Sequence, residues 1–93
     1  MALKILSEPS RVAADPDATL HTLREAIEVA IPKARVEVRG GSPGHFEIRV
    51  VSQAFEGLNR VQQQQLVYAA IASLMRGDAA PVHAIDRLQT ELP

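Results

Sequence analysis

The spacing of apolar side chains predicts a helix over residues 16–30. Its apolar positions recur three or four residues apart, at Leu20, Leu23, Ile27 and Ile31. Asp15 can cap the first turn, and Pro16 suits the first helical position. Pro32 ends the helix because a proline biases the residue before it away from helical backbone. Residues 1–15 show no clear period, so we expect a loosely ordered N-terminal extension ahead of one domain at residues 16–93.

Two runs of alternating apolar and charged residues predict a pair of strands. Residues 35–39 place Val36 and Val38 on one face. Residues 45–50 likewise place Phe46, Ile48 and Val50 on one face. The five residues between them hold three glycines and a proline. This composition predicts a flexible hairpin connection rather than a two-residue turn.

The rest of the chain predicts two more helical segments and a third strand. Ser52 can cap a short turn over residues 53–56, and Asn59 can open a longer helix from Arg60 to about Arg76. The buried stripe of that helix is predicted to include Val67, Ala70, Ile71 and Leu74. Gly77 follows as the residue that ends it. Residues 82–88 predict a strand with imperfect alternation. The order α-β-β-α-α-β predicts an α+β fold, a single domain with a three-stranded sheet packed on helices.

Composition narrows the classes of protein that this chain can be. At 93 residues it has room for one domain, since domains average about 150 residues. It has no cysteine, which excludes disulfides and any cluster ligated by its own thiolates. A net charge of −1 opposes non-specific nucleic-acid binding. No apolar stretch reaches the length of a membrane span or a signal peptide, so we expect a soluble protein of a reducing, cytoplasmic compartment that does not bind membranes.

Three histidines are the candidates for metal chemistry. His21 falls on the polar side of the first helix and is expected at the surface. His45 starts the second strand on the face opposite Phe46, and His83 lies at the start of the third, on the face opposite Val82 and Ala84. Spacing alone does not bring His45 and His83 together, and two histidines are too few for a zinc site, which takes three or four protein ligands.

Catalytic patterns do not emerge from the sequence. The serines include no G-x-S-x-G elbow, and the acids are dispersed among bases without a carboxylate pair. We therefore expect a protein that is not an enzyme. Residues 41–44 match the G-x-x-G loop of KH domains, but that loop joins two helices and this one joins two strands. The match is therefore discounted.

Three ordered motifs resemble the BolA family. Residues 45–57, H-F-E-I-R-V-V-S-Q-A-F-E-G, resemble its H-F-x-V-x-V-V-S-x-x-F-x-G signature. Residues 59–68 are similar to the R-V-x-x-Q-Q-x-V-Y run of its IbaG-like branch, and Val82-His83-Ala84-Ile85 matches its H-A strand. The resemblance covers about residues 17–90 and implies a class II KH-like fold. It departs from the family at the C-terminus, which lacks the usual T-P-x-E-W.

The resemblance implies an accessory protein of iron–sulfur metabolism, linked to iron regulation or stress response. Its implied partner is a monothiol glutaredoxin of the CGFS type, with which it shares a [2Fe–2S] cluster while glutaredoxin and glutathione supply the thiolates. His83 is the implied ligand. A second ligand usually comes from the loop between the first two strands, where Ser42 stands here, and a hydroxyl is a poor ligand for a soft site. His45 is then the remaining candidate. The alternative is that both histidines are structural and the complex is cluster-free.

The resemblance also carries a second hypothesis, a DNA-binding regulator that uses the helix at residues 59–76. Its contacts would come from Arg60, Gln63 and Gln64. Glutamine can read adenine edges, but a single arginine makes no cationic patch to supply the non-specific affinity that precedes readout. Nucleic acid is therefore the disfavoured partner. Exposed strand edges could pair between two copies of the chain, so a weak homo-oligomer is a further possible partner state.

Overall fold

The order of elements confirms the α+β prediction. A computed structural model describes residues 16–77 and 79–93. Its elements are α1 (Pro16–Ala30), β1 (Arg35–Gly40), β2 (His45–Val51), a 3₁₀ turn (Gln53–Phe55), α2 (Arg60–Ile71), a second 3₁₀ turn (Ala72–Met75) and β3 (Ala84–Glu91). The extension predicted for residues 1–15 lies outside the described residues.

The sheet has the order β1-β2-β3, with β2 in the centre. β1 pairs antiparallel with β2, as a hairpin requires, and β3 pairs with β2 in parallel. Alternate residues of β2 are buried, at Phe46, Ile48 and Val50. The helices therefore cover one face of the sheet, and the charged residues between these positions lie on the other face.

The two helices supply the other half of the core. Leu23 and Ile27 of α1 and Val67 and Ile71 of α2 are fully buried against the sheet, which confirms most of the predicted stripes. Of the remaining stripe positions, Ile31 is buried, while Leu20, Ala70 and Leu74 are half-buried at the margin of the core. Within residues 16–77 and 79–93, no helix is long and apolar enough to cross a membrane.

Two of the three predicted capping residues, Asn59 and Ser52, act as caps, and the third, Asp15, lies outside the described residues. The Asn59 side chain accepts from the Gln62 N–H at 2.8 Å, and the Gln62 side chain accepts from the Asn59 N–H at 3.0 Å. This reciprocal pair satisfies two of the donors that a helix leaves free at its start. Ser52 caps the first 3₁₀ turn through its hydroxyl, which accepts from the Ala54 N–H. The predicted end at Arg76 is too late for an α-helix, because α2 ends at Ile71 and the chain continues as a 3₁₀ turn.

The third strand begins and ends later than the sequence predicts. The pattern predicts residues 82–88, whereas the strand runs over Ala84–Glu91. Val82 is fully buried like a strand residue, but its N–H bonds the carbonyl of Leu74 rather than the sheet. The pairing with β2 also shifts, from Phe46 opposite Ile85 to Glu47 opposite Arg87.

That shift is a β-bulge, and it explains the imperfect alternation. Asp86 is the extra residue, since it has no partner on β2. Ile85 and Leu88 lie three positions apart, so a regular strand would turn them to opposite faces. With Asp86 inserted, both pack against the core.

Candidate functional site

The candidate site lies where β2 and β3 begin and the β1–β2 loop ends. The parallel pairing sets His45 opposite Ala84, the residue that follows His83. The two histidines are 38 positions apart in the chain, yet His45 starts β2 and His83 directly precedes the start of its neighbour β3. The structure therefore brings together the two residues that sequence spacing left separate.

His83 is held against the backbone of Gly44. The N–H groups of His83 and Ala84 both donate to the Gly44 carbonyl, at 2.8 and 3.1 Å. A Cβ placed on Gly44 would lie 2.6 Å from Nδ1 of His83, so the ring rests on the glycine itself. Gly44 also has a φ of +79°, which favours glycine. His83 stays exposed and directly precedes β3, although the sequence predicted it inside a strand over residues 82–88.

His45 is held by a carboxylate. Its Nδ1 lies 2.9 Å from Oδ1 of Asp86, and the two side chains are 38% and 49% exposed. The neighbouring Phe46 is buried, so His45 projects from the opposite face, as predicted. Sequence reasoning missed Asp86. The sequence signal that could have identified Asp86 is that this charged residue interrupts the alternating pattern of the third strand.

The β1–β2 loop is closed by backbone hydrogen bonds. The Gly41 N–H donates to the His45 carbonyl at 2.8 Å, and the His45 N–H donates to the Ser42 carbonyl at 2.9 Å. Ser42 and Pro43 are exposed at the tip of the loop. Ser42 thus takes part in the turn through its main chain, and the loop sets the position of both Gly44 and His45.

His45 and His83 are of a residue type that can bind metals. Among residues 16–77 and 79–93, no group of three or more His, Cys, Asp or Glu side chains could hold a metal ion. The chain has no cysteine. Two histidines can serve as ligands to one iron of a two-iron cluster whose other ligands are thiolates. The arrangement therefore suits a site completed by donors from another molecule.

The residues of the nucleic-acid hypothesis lie elsewhere, on α2. The Gln63 amide is used inside the fold, because its Nε2 donates to the Leu58 carbonyl at 2.9 Å and its Oε1 accepts from Thr90 at 2.7 Å. Arg60 is exposed and Gln64 is half-buried. Nothing in the described part of the chain favours nucleic-acid binding. His21 is exposed on α1, as expected.

An ion pair that the sequence did not indicate joins the far ends of β2 and β3. Nε and Nη2 of Arg49 each donate to one carboxylate oxygen of Glu91, both at 3.0 Å. These hydrogen bonds lower the pKa of Glu91 below its ordinary value, against a smaller opposing effect of burial. Hydrogen bonds to Glu91 likewise raise the pKa of Arg49, and Glu37 lies 3.6 Å away as a further partner.

Comparison with known proteins agrees with this architecture. A family model described as BolA-like protein matches residues 18–91. Human BolA-like protein 1 is 41% identical over 68 residues, which cover 68% of this chain and 47% of the human protein. A protein of the rpoN-murA intergenic region of Acinetobacter guillouiae is 40% identical over 63 residues, covering 68% of this chain and 72% of that one. The chain thus spans about half the length of its human relative.

Solved structures show the same fold. A bolA protein homologue from Coxiella burnetii has a TM-score of 0.65 at 34% identity, covering 78% of this chain and 88% of that one. BolA1 from Mus musculus has a TM-score of 0.65 at 32% identity, covering 86% of this chain and 68% of the mouse chain. These similarities confirm the fold that the motifs implied.

Proposed function

This chain belongs to the BolA family, and on that basis we propose that it partners a monothiol glutaredoxin of the CGFS type and helps to bind a shared [2Fe–2S] cluster. The role is that of an accessory protein in iron–sulfur cluster trafficking or iron regulation, without catalysis of its own. A reducing, cytoplasmic location goes with it, because thiolate ligands from glutathione and glutaredoxin persist where thiols stay reduced.

One observation carries the proposal: His45 begins β2 and His83 directly precedes the adjacent β3, both beside the same loop. The chain supplies imidazoles and no thiolates. A glutaredoxin with glutathione supplies thiolates, so the two sets of donors are complementary. Imidazole in place of thiolate on one iron raises the reduction potential of a cluster.

His83 and His45 are the residues that would hold the iron. His83 is exposed and fixed against Gly44, and the orientation of His45 is fixed by Asp86. Ser42 is the weaker candidate, because a neutral hydroxyl suits iron–sulfur sites poorly and its backbone already serves the turn. The cluster, when bound, supplies electron-transfer and cluster-donation chemistry, while this chain orients the two rings and presents them to the partner.

Reconstitution with a CGFS glutaredoxin, iron, sulfide and glutathione tests the proposal. The variants are His83→Ala and, as a matched control, His21→Ala, which removes an exposed histidine from α1. We expect wild type and the control to give the same visible absorption and circular dichroism. His83→Ala should alter the spectrum and shorten the lifetime of the cluster by about tenfold or more.

The contrary results are distinct. If His83→Ala forms a cluster with an unchanged spectrum and lifetime, His83 is not a ligand. If wild type binds the glutaredoxin but never acquires a cluster, the complex is cluster-free and the histidines are structural.

A further inference from the structure

We infer that Asp86 is a positioning residue that holds the His45 ring with its proton on Nδ1, so that Nε2 carries the free lone pair. The link to a cluster rests on the function proposed above, whereas the state of the ring can be measured on this protein alone. Asp86 lies outside all the motifs that the sequence singled out, and the case for it comes from the geometry of β3.

The hydrogen bond determines which nitrogen is protonated. Nδ1 of His45 is 2.9 Å from Oδ1 of Asp86. An ionised carboxylate can only accept hydrogen bonds, so the imidazole nitrogen beside it must be the donor. A neutral ring has one N–H, and its other nitrogen, Nε2, is then the acceptor or metal ligand.

The β-bulge brings the carboxylate to this place. Asp86 is the residue that has no partner on β2, between Ile85 opposite Phe46 and Arg87 opposite Glu47. A bulge re-aims the side chain of its extra residue. Both ends of the resulting bond are outside the core, while Ile85 and Leu88 on either side pack into it.

The carboxylate also lies beside the β1–β2 loop. Its Oδ2 is 3.9 Å from the point that a Cβ on Gly41 would occupy, and the Gly41 N–H bonds the His45 carbonyl at 2.8 Å. Asp86 therefore sits where β3, the loop and the start of β2 meet. The two histidines are fixed by different means: His83 by contact with a glycine, and His45 by a carboxylate.

This arrangement is the usual one for histidines that bind metals. A ligating imidazole commonly donates its other N–H to a carboxylate, which fixes the ring and raises the basicity of the ligating nitrogen. Loss of such a carboxylate typically weakens metal binding by about 10- to 100-fold. Asp86 is in a position to do this for His45.

Nitrogen-15 NMR of the ring nitrogens, recorded on the isolated protein with neutral histidines, tests the inference directly. We expect His45 of wild type to show a protonated Nδ1 and an unprotonated Nε2. Asp86→Ala should shift the ring toward the form with the proton on Nε2. Glu47→Gln, which removes another exposed acid near the same edge, should leave the ring unchanged, and the amide spectrum of each variant reports whether it is folded.

The same variants, reconstituted with the glutaredoxin, complete the test. We expect Asp86→Ala to shorten the lifetime of the cluster by about tenfold and Glu47→Gln to leave it unchanged. Equal tautomer populations in wild type and Asp86→Ala would overturn the inference. A shifted tautomer with an unchanged cluster lifetime would support the effect of Asp86 on the His45 ring and overturn only its link to a cluster.

Failure of the proposed function gives a different pattern. In that case wild type acquires no cluster with the glutaredoxin, whichever tautomer the His45 ring adopts. The tautomer measurement still decides whether Asp86 sets the state of His45.

Discussion

The ring of His83 occupies the space that a side chain at Gly44 would need. Gly44 combines a positive φ with an imidazole nitrogen only 2.6 Å from the point that a Cβ would occupy. Its carbonyl also accepts from His83 and from Ala84, the first residue of β3. A single residue thus positions the candidate ligand and ties the loop to the sheet.

Three glycine substitutions separate these effects. Gly57→Ala should destabilise the fold by about 1 kcal/mol, because φ is +82° there but nothing lies within 4 Å of an added Cβ. Gly44→Ala should cost more, since it adds displacement of His83 to the same backbone strain. Gly40→Ala, with open space and no positive φ, should have the smallest effect.

Urea denaturation measures the three stabilities, and the ring signals of His83 report its placement. A Gly44→Ala variant as stable as Gly57→Ala, with His83 signals unmoved, would contradict the assigned contact.

At the scale of the elements, the side chain of Ser52 links the end of β2 to the 3₁₀ turn that follows it and to the α1–β1 connection. This residue is 1% exposed. Its Oγ accepts from the Ala54 N–H at 3.1 Å, which caps the 3₁₀ turn, and donates to the Pro32 carbonyl at 2.9 Å in the α1–β1 connection. The same hydroxyl therefore fixes both connections to the sheet.

Replacing Ser52 by alanine should reduce the free energy of unfolding by about 1–2 kcal/mol, the range for a lost cap together with a lost hydrogen bond to a carbonyl. Ser73→Ala is the matched control, because Ser73 is exposed on the second 3₁₀ turn. Chemical denaturation of both variants gives the comparison. Equal stabilities would show that the buried hydroxyl contributes nothing beyond the exposed one.

The pairing of β2 with β3 should depend on pH through Glu91. Its pKa is lowered from 4.5 by hydrogen bonds from Arg49, so ionised Glu91 stabilises the folded state. A carboxyl whose pKa is lower in the folded state contributes stability that is complete above its unfolded pKa and is lost as the pH falls through the folded one.

Urea midpoints of wild type and Glu91→Gln, measured from neutral to acid pH, check this expectation. Wild type should be the more stable protein at neutral pH, and the difference should shrink below about pH 4.5. Glu25→Gln, on the exposed side of α1, serves as the control variant. A difference that stays constant into the acid range would rule out the assigned ion pair.

For the whole molecule, the sequence predicts what local periodicity and capping determine. Leu23 and Ile27 recur at helical spacing, and the capping residue Asn59 has its reciprocal Gln62, so these helices form where expected. The meeting of His45 with the start of β3 depends instead on a parallel pairing across a long connection, which no local pattern encodes. Asp86 was missed for a related reason: alternation reveals a bulge as a fault in the pattern but does not say where the extra side chain points.

The parallel pairing of β2 with β3 also determines when during folding His45 and His83 come close together. A ribosome releases His45 well before His83, and pairing the two strands has to wait for the intervening α2 and then for β3 itself. Contacts between distant parts of a chain form late in folding, because the loop between them must first be closed. Nascent and partly folded chains therefore carry two unrelated histidines, and only the finished domain places them at neighbouring strands.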